Sequence, residues 1–185
     1  VGLEERIKAY RRQVMWKSEL GGSRSPVVLG EVGVPFDVGV GVADEAIEAH
    51  FRALEALMIP IAWWNYTPDN TNARGDGWNG EDLSIYCAED GGGRAVRSFV
   101  RPHLILCGGE PLSQSFDPST GTYECTYKAG ATSSESVFFI PRLHFQRATT
   151  SISFRDGDDV VWASDAEYLY YRSNQPGLVE LKLSV

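Results

Sequence analysis

The chain has 185 residues, 43% of them hydrophobic and 11% aromatic, which is enough to bury a core and too apolar for a disordered segment. A formal net charge of -8 excludes a phosphate-binding surface of clustered Lys and Arg, so nucleic acid is not an expected partner. The longest apolar runs, such as Pro26–Leu29 and Met58–Trp64, are far shorter than the roughly 20 residues a membrane-spanning helix needs.

The N-terminus, Val1-Gly2-Leu3-Glu4-Glu5-Arg6, has neither a basic nor an apolar leader region, which predicts no signal peptide and favours a cytoplasmic protein. It also lacks an initiator Met, from which upstream chain is expected. Leu3, Ile7, Tyr10 and Val14 recur at helical spacing up to Gly21-Gly22. Pro26-Val27-Val28-Leu29 reads as a parallel strand buried on both faces. Ala43–Met58 reads as a helix with Asp44 as N-cap, Ile47, Phe51, Leu54 and Met58 on one face, and Glu45, Glu48, Arg52 and Glu55 largely on the other. Pro60–Trp64 is the next apolar strand, which completes a βαβ unit.

A polar stretch, Asn65–Asp82, follows, and then Gly91-Gly92-Gly93 and a short helix over Arg94–Val100 that Pro102 stops. From about Leu104 the texture changes to seven short β-like runs. They include Thr122–Lys128, Val137–Ile140, Ser151–Arg155, Val160–Ala163, Tyr168–Tyr171 and Leu178–Leu183. Asp156-Gly157 is a hairpin signal between two of them. The pattern predicts an antiparallel sandwich, with a boundary near residues 101–110. A lone βαβ unit would leave two apolar strand edges open, so residues 1–100 are expected to be the tail of a larger α/β domain.

Leu29-Gly30-Glu31-Val32-Gly33 places a carboxylate at the end of a parallel strand, between glycines that let a ligand approach closely. The same Glu also suits an ordinary loop or a helix cap. Trp63 and Trp64 end the next strand and must face opposite ways. One offers a flat apolar face on which a sugar ring can stack, although both also suit the space between sheet and helices. Residues 70–81 half match a calcium-binding loop, but Arg74 stands where a cation needs an oxygen, so a structured surface loop is the better reading. Asn65-Tyr66-Thr67 has the form of a glycosylation sequon, and Pro68 after it argues against use. His50, on the helix, His103, and His144, in a strand, show no ligand spacing. Three cysteines without a CxxC pair, Cys87, Cys107 and Cys125, favour a reduced compartment over a Cys107–Cys125 disulfide.

Three segments carry a resemblance. Val28–Asp37 (VLGEVGVPFD), Trp64–Asn72 (WNYTPDNTN) and Gly75–Ile85 (GDGWNGEDLSI), with Gly93–Val96 and Arg101-Pro102, resemble the endoglycoceramidase-related branch of glycoside hydrolase family 5, in particular fungal glucosylceramidases and steryl β-glucosidases. The likeness is strong over residues 26–111 and weaker beyond. It implies the C-terminal part of a (β/α)8 barrel, strands 7 and 8, over residues 1–103, and a β-sandwich over 104–185. It implies Glu31 as the nucleophile of a retaining β-glucosidase, Trp64 as the sugar platform with Trp63 as the alternative, and Asn65 beside them, with no metal or cofactor. In this family the acid/base Glu follows an Asn well upstream, and no such segment is present here. The chain alone is therefore expected to be inactive.

The implied substrate is a β-glucoside, of a glycolipid such as glucosylceramide or a steryl glucoside. Phe138-Phe139-Ile140 and Tyr168–Tyr171 suit either an apolar lipid-facing surface or the sandwich core. Peripheral contact with a membrane through apolar groups stays open, whereas the net charge argues against purely electrostatic attachment to anionic lipid. Two readings compete: a non-catalytic carbohydrate- or lipid-binding fragment, and a β-glucanase or exoglucosidase acting on soluble glycans.

Overall fold

The computed structural model describes residues 5, 7–9, 11–12, 28–130, 134–163 and 167–185, which fall into two compact units. One holds residues 1–54 and 59–99, and the other holds residues 55–58 and 100–185. The described residues of the first predicted helix are helical, and Gly21-Gly22, Pro26 and Val27 lie outside the described residues.

In the first unit β1 (Leu29–Val32) and β2 (Ile61–Trp63) pair in parallel, with Leu29 opposite Ile61 and Val32 opposite Trp63. The strand thus begins three residues later than Pro26 and runs through Glu31 instead of stopping before it. Burial on both faces, expected for Pro26–Leu29, is not found in the described part of that run, since Val28 is exposed and Leu29 only half-buried. Helix α1 (Val40–Glu55) connects the two strands. Its N-cap is not Asp44. The Gly39 carbonyl accepts from the amides of Val42 and Ala43, and Gly39 takes the left-handed φ of 92°. Asp44 instead accepts from the Ser98 hydroxyl at 3.4 Å.

The helix closes on a Schellman motif, in which the Ile59 amide donates to Leu54 and the Met58 amide to Glu55, each at 3.1 Å. Met58, at φ 52°, occupies the left-handed position that usually falls to glycine, so it leaves the apolar stripe it was expected to extend. Ala43 and Ile47 pack on Val34 and Phe36. Glu48, placed by periodicity on the polar face, is buried and accepts from Arg52 Nε at 2.7 Å. Two elements were not anticipated, the two-residue strands β3 (Tyr86–Cys87) and β4 (Gly92–Gly93), which pair antiparallel. The short helix α2 is confined to Val96–Phe99.

The described residues of the second unit carry eight strands: β5 (His103–Leu106), β6 (Gly109–Asp117), β7 (Thr122–Ala129), β8 (Ser134–Phe139), β9 (Ser151–Ser153), β10 (Asp159–Trp162), β11 (Tyr168–Ser173) and β12 (Gly177–Ser184). They form two antiparallel four-stranded sheets, ordered β10-β11-β8-β5 and β6-β7-β12-β9. Strict alternation decides which side chains go inward: Tyr123, Cys125 and Tyr127 from β7, Leu169 and Tyr171 from β11, and Val179, Leu181 and Leu183 from β12 join one core with Phe116 and Phe138. Cys87, Cys107 and Cys125 are free thiols. Burial pushes the Cys125 thiol up to about 12.

Two expectations fail here. β9 and β10 do not form a hairpin across Asp156-Gly157, since β9 pairs with β12 and β10 with β11. The turn carries the chain from one sheet to the other. Its anchor is Asp158, which accepts from Arg155 at 2.9 and 3.2 Å, from the Tyr171 hydroxyl at 2.6 Å and from the Asn174 amide at 2.9 Å. His144 lies in a turn, not a strand, and its Nε2 bonds the Val100 carbonyl at 2.8 Å.

The Asp158 network predicts an acid sensitivity. Burial opposes ionisation of Asp158, but the bonds from Arg155, Tyr171 and Asn174 outweigh it and hold the carboxyl below its ordinary range. A depressed carboxyl contributes stability above its unfolded pKa of about 3.9, and that contribution is lost as pH falls through the lower folded value. Denaturant unfolding at pH 6 and pH 3 should show the loss in the wild type and a clearly smaller one in Asp158→Asn. Equal losses in both proteins would remove Asp158 from the account.

Candidate active site

The site is built where β1 and β2 end. Glu31 sits in β1 at φ 54°, at an irregularity in register between Leu29 and Val32, and its side chain is exposed. A left-handed non-glycine residue costs on the order of 1–2 kcal/mol, and such residues cluster where geometry serves function. Gly33 explains the second glycine of the motif. A Cβ there would stand 2.5 Å from the Trp64 carbonyl oxygen and 3.2 Å from Leu83. Gly33 therefore admits the neighbouring backbone rather than a ligand. Around Gly30 nothing lies within 4 Å of the Cβ position.

The Trp64 amide donates to the Val32 carbonyl at 2.7 Å, which fixes the chain as it leaves β2. Asn65 and Ile85 then exchange with the facing segment, Asn65 N to Leu83 O at 3.3 Å and Ile85 N to Asn65 O at 2.9 Å, and Thr67 N donates to Ser84 Oγ at 2.8 Å. The two tryptophans part as alternation requires. Trp63 stacks on Phe51 at 5.8 Å and meets the edge of Phe99 at 4.8 Å, inside the cluster beneath α1. Trp64 is 46% exposed and lines a cleft of about 880 Å³ together with Glu31 and Asn65. That volume lies in the range of small-molecule sites. Of the four candidate residues, the structure brings Glu31, Trp64 and Asn65 to one cleft and places Trp63 in packing.

The same cleft takes Tyr66, Asn70, Asp76, Trp78, Asn79 and Glu81, from the two loop segments that carry the resemblance, none of which the sequence reading gave an individual role. Asn70 is 2% exposed, and neither its Nδ2 nor the buried Oδ1 of Asn65 has a hydrogen-bond partner among the described residues. Unpaired buried amides are uncommon, and at a cleft wall they suit hydroxyl recognition. Asp76 is already committed to the loop. Its Oδ1 accepts from the amides of Trp78, Asn79 and Gly80 at 2.8, 2.9 and 3.1 Å, and these bonds, that of Trp78 foremost, hold its carboxyl below the ordinary range. Glu81 Oε2 accepts from Asn79 Nδ2 at 3.5 Å. The chemistry available is thus two exposed carboxylates, Glu31 and Glu81, with aromatic faces and unpaired amides. No cluster of His, Cys, Asp and Glu suited to a metal ion occurs among the described residues.

Residues 101–185 match the model of the glycoside hydrolase family 5 C-terminal domain. A glucosylceramidase of Rhizopus delemar is 31% identical over 185 aligned residues, which cover 80% of this chain and 27% of that protein. Among solved structures, sterylglucosidase 1 of Cryptococcus neoformans superposes with a TM-score of 0.88 at 19% identity, over 100% of this chain and 32% of that one. The lactosyl-enzyme intermediate of endo-glycoceramidase II from Rhodococcus sp. gives 0.68 at 19% identity, over 96% and 37%. The chain spans about a quarter of the length of the curated relative.

Proposed function

With residues 101–185 matching the glycoside hydrolase family 5 C-terminal domain, we propose that the chain belongs to that family and supplies the nucleophile side of a retaining β-glucosidase site. On this reading β1 and β2 are the last two strands of a (β/α)8 barrel, residues 1–103, and residues 104–185 are its sandwich domain. The observation that carries the proposal is the placement of Glu31. It is an exposed carboxylate at a strand end, turned by a left-handed φ into a cleft that also holds Trp64 and two unpaired amides.

The reaction proceeds by two displacements. A carboxylate oxygen of Glu31 attacks the anomeric carbon while a carboxylic acid about 5–5.5 Å away protonates the leaving oxygen. Water then hydrolyses the glycosyl ester, with the second residue acting as base. The family resemblance, in which the acid/base Glu follows an Asn well upstream, assigns that residue to chain before this segment; Asp76 in the cleft is already held by three backbone amides. Trp64 is the platform for the sugar, and Asn65 and Asn70 meet its hydroxyls. The substrate is a β-glucoside of a ceramide or sterol, in keeping with the names of the relatives. Two carboxyl groups suffice for this chemistry, without a metal or organic cofactor.

An activated 2-deoxy-2-fluoro-β-glucoside tests the assignment. In the full-length protein it should inactivate with one label per chain, and peptide mass spectrometry should place that label on Glu31. Labelling of any other carboxylate would refute the assignment.

A further inference from the structure

We propose that Trp78 is the residue that selects an apolar aglycone, an inference that rests on the glucosidase reading of the cleft and extends it. The indole is 86% exposed, the most exposed of the large apolar side chains among the described residues, although tryptophan is highly buried on average. It does not ride on a loose loop. Its own amide and the next two donate to Asp76, and Gly75 folds directly against Gly80, where a Cβ would stand 2.4 Å from the Gly80 carbonyl carbon. The Thr71–Gly75 bridge and the bonds from Arg74 to the Asp69 carbonyl and to Glu89 tie the base of the same loop.

With the backbone beneath the indole already fixed, covering it costs only the freedom of the side chain itself, and the rest of the gain reaches binding. Position within the cleft assigns its target. The unpaired amides, Asn65 and Asn70, are partly or fully buried at the wall, and they suit a glucosyl ring that presents hydroxyls. Trp78 and Tyr66, which is 63% exposed and packs on Tyr86 at 5.4 Å, give the open part of the cleft two aromatic faces beside the polar Asn79 and Glu81. A ceramide chain or sterol ring system offers broad apolar surface there, and a small polar leaving group offers none.

The test compares two substrates in the full-length protein. β-Glucosyl fluoride has a single atom as its aglycone and reports only on the sugar site and Glu31. Glucosylceramide or a steryl glucoside in detergent micelles reports on both parts. Trp78→Ala should lower kcat/KM on the glycolipid at least about tenfold and leave the fluoride within about threefold, while Trp78→Phe should recover most of the loss. A parallel fall on both substrates, or no change on either, overturns the inference. Wild-type protein that hydrolyses the fluoride but no glycolipid also overturns it and leaves the glucosidase reading standing. Wild-type protein inert on both removes the glucosidase reading itself.

Discussion

Glu31→Gln in the full-length protein should lower turnover of an aryl β-glucoside by at least about 10³-fold, with substrate affinity nearly unchanged. Gln keeps the shape of the side chain and its place in β1, so the cleft survives while the attacking oxygen loses its charge. The left-handed φ of 54° at this position is a backbone property that Gln shares with Glu, and no differential unfolding is expected from it. The measurement pairs steady-state kinetics with equilibrium binding of a non-hydrolysed glucoside analogue. Loss of turnover with retained binding identifies an interaction made in the transition state. Normal turnover would leave Glu31 as an ordinary strand residue and favour a binding module.

Asp82→Ala should destabilise the first unit by about 3–5 kcal/mol. Asp82 and Arg94 have side chains 2% and 7% exposed, and Arg94 Nη1 donates to Asp82 Oδ1 at 2.8 Å and to the Ser84 carbonyl at 3.3 Å. Arg94 also reaches Asp90 at 2.6 Å and covers the Phe36 ring at 5.0 Å. Burial alone would lower the Arg94 pKa, yet Asp82 and Asp90 outweigh it and the net shift is upward, so the charge persists. Removing Asp82 leaves that buried cation short of its main partner, which is costlier than never having had the pair. The double variant Asp82→Leu/Arg94→Met should therefore lose less than Asp82→Ala, an inequality that denaturant titration can read. The reverse order, or a loss under about 1 kcal/mol for Asp82→Ala, would show the pair to be incidental. Because Asp82 follows Glu81 directly, the same variant should also loosen the cleft wall.

Much of this molecule is legible in the sequence because its elements rest on local alternation. In β7, β11 and β12 every second residue is buried, and the periodic apolar face of α1 around Ile47 and Leu54 is buried as well. Strand β6 was harder to see, since Gly109 and Pro111 interrupt it. It is an edge strand with a shift in register between Pro111 and Ser113, and an edge tolerates the missing donor. The family resemblance lay in short segments around the cleft, at Glu31, Trp64 and the Gly75–Ile85 loop, whose residue types are dictated by neighbours a few positions away.

What the sequence determined by itself was therefore the strand-rich C-terminal half, the connecting helix and the family. Only the tertiary structure decided which sheet β9 and β10 join, which of Trp63 and Trp64 meets solvent, why Gly33 must be glycine, and that Glu48 is buried. The first three depend on residues far off in the chain: β12 opposite β9, Phe51 and Phe99 around Trp63, the Trp64 carbonyl against Gly33. Local pattern sets the conformations available to a segment. The choice among them is made by contacts that form only once distant segments pack.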